Sequence, residues 1–61
     1  MNREIAPDEE GWLGQILVDG KWMDYARGFE EESKRWQAAD PVNRRIVHWI
    51  SSEILVPAKE V

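Results

Sequence analysis

The side chains with catalytic potential in this 61-residue chain are few and poorly matched. His48 is the single histidine and cysteine is absent, so a histidine-based metal site or a nucleophilic triad finds no partners. Sitting in the apolar run Ile46-Val47-His48-Trp49-Ile50, His48 reads as a structural residue. Ser51 and Ser52 follow it, but paired serines between apolar runs form turns more readily than they act as nucleophiles. Gly11 and Gly14 lack the spacing of a phosphate-cradling or dinucleotide loop. Acidic residues number twelve, yet a domain this small rarely encloses the roughly 300–1,000 Å³ that a small substrate needs. The expectation is a non-enzymatic protein with no catalytic residue, no metal and no cofactor.

Binding chemistry is better represented. Four Trp, one Tyr and one Phe must first supply the core, since each aromatic can bury about 150–250 Å². Four indoles in so short a chain also leave material for an exposed anchor. The net charge of −4 is unevenly spread. Residues 1–32 carry nine acidic against three basic side chains, whereas residues 33–61 carry three against five. An acidic half is unsuited to neutralising phosphates and suited to steering a basic protein partner. The candidate contact residues are therefore Asp8, Glu9, Glu10, Asp24, Glu30 and Glu31, with Trp12 or Tyr25 as the aromatic anchor. Simpler roles stand beside these. Asp8–Glu10 also serve as a solubilising run, and Glu30–Glu32 suit the positive end of a helix.

A second reading uses the basic residues. Arg44 and Arg45 beside Trp49, with Lys34, Arg35 and Trp36, make the basic and aromatic combination on which bases stack in small nucleic-acid-binding modules. The sequence pI of 4.8 opposes it, so direct nucleic-acid binding is not the first expectation. A third reading is a structural or self-associating accessory domain.

These residues need a scaffold, and Trp12 to Arg27 provides its centre. Two runs rich in β-branched and aromatic residues flank Asp19-Gly20, a two-residue loop suited to a type I′ turn. That turn sets the register: Val18 opposite Lys21, Ile16 opposite Met23, Gly14 opposite Tyr25 and Trp12 opposite Arg27. The other face pairs Leu17 with Trp22, Gln15 with Asp24 and Leu13 with Ala26. Trp12 beside Arg27 is then a candidate cation–π pair. Residues 1–10, with Pro7 and no periodicity, read as a mobile acidic arm.

Gly28 ends the hairpin and a helix over 29–39 follows, with Phe29, Ser33, Trp36 and Ala39 or Asp40 on one side. Glu30 with Lys34 and Glu31 with Arg35 are spaced i,i+4 in the favourable orientation. Asp40-Pro41 stops this helix. Residues 41–56 allow a second helix capped by Asp40, or two strands, Arg44–Ile50 and Glu53–Val56, joined at Ser51-Ser52. The β-branched residues Ile46, Val47, Ile50, Ile54 and Val56 favour strands. The expected fold is a single α+β domain, ββαββ, a small antiparallel β-sheet with one helix packed on a face. Pro57 to Val61 reads as a short charged tail. No apolar run reaches the ~20 residues that span a bilayer, and no secretory signal is visible, so no membrane association and a cytoplasmic location in a host cell are expected.

Two segments, Lys21-Trp22-Met23-Asp24-Tyr25-Ala26-Arg27 and Asp40-Pro41-Val42-Asn43-Arg44-Arg45-Ile46-Val47, resemble small accessory proteins of phages and mobile elements. Within that group the chain is similar to anti-CRISPR proteins of type I systems, which are short, acidic and free of cysteine. The resemblance implies a non-enzymatic inhibitor that binds a Cas subunit of the Cascade surveillance complex and blocks target-DNA engagement; the chain itself is expected to be a monomer. It assigns no residue roles, because that group shares no sequence motif.

Overall fold

In the computed structural model, residues 11–60 are described. They form β1 (Trp12–Val18), β2 (Lys21–Gly28), α1 (Glu30–Ala39), β3 (Arg44–His48) and β4 (Ile54–Val56). The four strands make one antiparallel sheet in the order β2-β1-β3-β4. The α+β class and the ββαββ order are those expected, and residues 41–56 are strands rather than a second helix.

The hairpin turn has positive φ at both Asp19 (51°) and Gly20 (77°), the geometry whose twist matches the flanking strands. Pairing follows the expected register from Val18–Lys21 to Gln15–Asp24 and then slips. A β-bulge places the extra residue Tyr25 between Asp24 and Ala26, so that Gly14 faces Ala26, Leu13 faces Arg27 and Trp12 faces Gly28. The expected pairs Gly14–Tyr25, Leu13–Ala26 and Trp12–Arg27 are therefore each displaced by one residue.

Trp36 accompanies this slip. Its indole lies against Gly14 so closely that a Cβ there would come within 2.7 Å of Cζ3. The bulged Tyr25 stacks on the same indole, with ring centroids 5.3 Å apart and planes 13° from parallel. One glycine and one extra residue thus let a single large side chain join helix to hairpin.

Helix α1 starts after Phe29, whose backbone is extended and whose N–H donates to Glu32 Oε1 at 3.0 Å. Glu30, Glu31 and Glu32 fill the first turn, where the macrodipole favours them. Lys34 Nζ reaches Glu30 at 2.7 Å, whereas among the described residues no ion pair joins Glu31 to Arg35.

The helix side facing the sheet also differs from expectation. Ser33 and Gln37 are buried, Trp36 is half-buried and Ala39 is exposed. Gln37 occupies this side because backbone carbonyls there need a donor. Its Nε2 donates to Arg44 O at 3.1 Å and lies 3.5 Å from the carbonyls of Pro41 and Pro57. The tail is held further by the Lys59 N–H, which donates to Pro41 O at 2.6 Å.

At the far edge, β3 ends at His48 and β4 begins at Ile54, both shorter than expected because the connecting turn takes up residues 49–53. His48 organises that turn. Its backbone N–H donates to Glu53 O at 2.6 Å, its carbonyl accepts from Ser52 at 2.7 Å, and its Nδ1 accepts the Ser51 N–H at 3.2 Å. Ser51 Oγ accepts the Glu53 N–H at 3.3 Å, a turn-forming role for the serine as well. A second bulge, at Leu55, interrupts β3–β4 pairing. Ile46 is fully enclosed beneath the helix, and Val47, which alternation puts on the opposite face, is nearly as buried. No described helix is long and apolar enough to cross a membrane.

Candidate binding surface

Each of the four indoles has a cation over its ring. Lys34 lies 5.6 Å from the centroid of Trp12, Arg45 4.4 Å from Trp22, Arg44 4.7 Å from Trp36 and Arg27 4.4 Å from Trp49. Such pairs contribute about 0.5–1 kcal/mol each at exposed sites. The bulge decides one of these partnerships: Arg27 stands over Trp49, and Trp12 receives Lys34 from the helix instead.

Strand alternation separates the basic residues that are adjacent in sequence. Arg44 pairs with Ile16 in the sheet, stacks on Trp36 and donates from Nη1 to the Trp36 carbonyl at 2.8 Å, all on the helix side. Arg45 belongs to the opposite face, where its Nε donates to Gln15 Oε1 at 2.8 Å. Gln15 Nε2 in turn donates to Asp24 Oδ1 at 2.9 Å. The result is a chain of hydrogen bonds across β3, β1 and β2, basic at one end and acidic at the other, with Trp22 beneath the guanidinium. Arg44, Arg45 and Trp49 do not form one patch. Trp49 adds a further point: its buried Nε1 has no hydrogen-bond partner among the described residues.

On the helix side, the hairpin extends beyond the cover that α1 provides. Val18, Met23 and Tyr25 are exposed there, the last to 62%. Alternation along β1 and the Ile16–Met23 pairing put Val18 and Met23 on the face of Gly14, and the Trp36 stack puts Tyr25 there too. Beside Tyr25 runs an open groove of about 160 Å³, lined by Gly14, Tyr25, Ala26, Arg27, Gly28, Glu32, Ser33 and Trp36. Glu30 and Glu31 stand exposed on the same first helical turn as Glu32. Glu30 hydrogen-bonds Lys34 and, by that bond and its charge, raises the lysine pKa above the usual 10.5.

The expected contact residues thus separate into groups. Tyr25 joins Trp36 and the acidic first turn around one groove. Asp24 belongs to the opposite face through Gln15, and Trp12 is half-buried beneath Lys34. Asp8, Glu9 and Glu10, with the rest of the acidic arm, lie outside the described residues. Val18, Met23 and Glu32 were not singled out as surface residues from the sequence, and Trp36 only as part of the basic and aromatic nucleic-acid patch. The hairpin register already placed Val18 and Met23 on one face, but nothing in the spacing showed that the helix stops short of them. Among the described residues no group of three or more His, Cys, Asp or Glu side chains is placed to hold a metal ion. No protein-family model, curated protein or solved structure matches the chain.

Proposed function

We propose that this chain is a non-enzymatic protein-binding module that inhibits by occupying a partner's surface. The observation that carries this reading is the exposed set Val18, Met23 and Tyr25, the last braced by Trp36, with Glu32 of the acidic first helical turn lining the groove beside it. An aromatic anchor locked by stacking loses little rotamer freedom on binding, and an acidic rim gives faster encounter with a basic surface. The groove beside Tyr25 is smaller than a substrate pocket and of a size to take one side chain. The resemblance to anti-CRISPR proteins of type I systems supplies the partner in this proposal: a Cascade subunit whose basic surface engages DNA.

A second reading, direct nucleic-acid binding, is favoured by the Arg45–Trp22 and Arg27–Trp49 pairs. One gel-shift experiment separates the two. The inhibitor reading predicts that the chain abolishes the shifted band of a purified type I surveillance complex with its target DNA and leaves bare DNA unretarded at low salt. Retardation of bare DNA or RNA by the chain alone, with the complex band intact, contradicts it and favours the second reading.

A further inference from the structure

The groove between β2 and α1 has two chemically distinct ends. At one end stand the stacked rings of Tyr25 and Trp36, with Gly14 as floor. At the other, Gly28 leaves space directly beneath two polar groups: a Cβ there would sit 3.2 Å from Ser33 Oγ and 3.3 Å from Glu32 Oε1. Glu32 is oriented in advance by the Phe29 N–H, which occupies Oε1 at 3.0 Å. Its second oxygen has no hydrogen-bond partner among the described residues. Ser33 retains only 7% of its surface, lines the groove and has no side-chain hydrogen bond among the described residues. The Ser33 hydroxyl is free to accept from a donor placed in the groove.

We propose that this groove receives an arginine side chain of the protein partner, an inference that rests on the protein-binding reading above and specifies its chemistry. A planar guanidinium suits both ends at once. Its face stacks on the exposed ring of Tyr25, as Arg44 already stacks on Trp36, and its edge presents several N–H donors to the Glu32 carboxylate and Ser33 Oγ. The neighbouring carboxylate of Glu31 adds to the local negative potential, whereas that of Glu30 is paired with Lys34. Arg27, the one cation in the groove wall among the described residues, has its guanidinium engaged over Trp49.

The test is an NMR titration of the full chain with N-acetyl-arginine methylamide, using the citrulline analogue, of the same shape without the charge, as control. The expected result is saturable shifts confined to the Gly28 and Ser33 amides and the Trp36 indole, with citrulline leaving them unmoved. Glu32→Gln keeps an acceptor for the Phe29 N–H but removes the charge, so the helix start is retained while arginine affinity falls about fivefold or more. Absence of saturable shifts, equal shifts with citrulline, or undiminished affinity in Glu32→Gln overturns the proposal. Those results leave the protein-binding reading standing, because that reading is decided by the effect on complex–DNA binding and not by free arginine.

Discussion

Gly14 shows how much can depend on the lack of one methyl group. The indole of Trp36 occupies the space that a Cβ would take, and Tyr25 stacks on that indole in turn. Gly14→Ala must push Trp36 outward or shift β1, at a cost of about 1–3 kcal/mol by analogy with overpacked cores. For a domain of this size each kcal/mol lowers the melting temperature by roughly 4–8 °C. Thermal unfolding followed by circular dichroism checks this, with a loss of near-ultraviolet aromatic signal expected in parallel. The same change in a Trp36→Leu background should cost much less, because the clash is with that ring; equal costs in both backgrounds would mean that Gly14 matters for some other reason. His48 carries a related lesson. Its lone occurrence argued against triads and histidine metal sites, and its ring nitrogen accepts a backbone N–H in a turn.

Among the elements, the hairpin was the most legible in the sequence because its turn chemistry is local. Asp19-Gly20 set both φ angles and the pairing as far as Gln15–Asp24. Gly20→Ala puts a Cβ at φ 77° with open space around it, so the loss is purely conformational, about 1–2 kcal/mol. Denaturant unfolding should show that loss with an unchanged m-value; a change below a few tenths of a kcal/mol would mean that the turn does not set the register. The bulge at Tyr25 was not legible, because the ring it stacks on, Trp36, belongs to the helix and no spacing within β2 records it. Gln37 was missed for a similar reason. Apolar periodicity finds side chains that avoid water, and this amide is buried to donate to loop carbonyls whose positions only the folded chain defines. Both bulges fall on edge strands, β2 and β4, where a kinked backbone makes strand-to-strand pairing with another chain less favourable. A partner is therefore expected to meet side chains on a face rather than add a strand at an edge.

At the scale of the whole molecule, the sheet sorts the charges that the sequence lists side by side. Arg44 and Arg45 go to opposite faces, as do Asp24 and Tyr25. An acidic N-terminal half was visible in the composition, but a composition has no faces, and the proposed contact surface could be narrowed to the Tyr25 groove only in three dimensions. The most direct measurement of the central claim, that this groove and its rim bind a protein, is affinity capture from host lysate read by quantitative mass spectrometry. Wild type, Tyr25→Ala and Glu30→Lys would be compared, with melting temperatures measured alongside. The account predicts a partner with a basic, nucleic-acid-binding surface that wild type retains and both variants lose, while all three chains stay folded. An identical set of captured proteins from folded wild type and folded variants would contradict it.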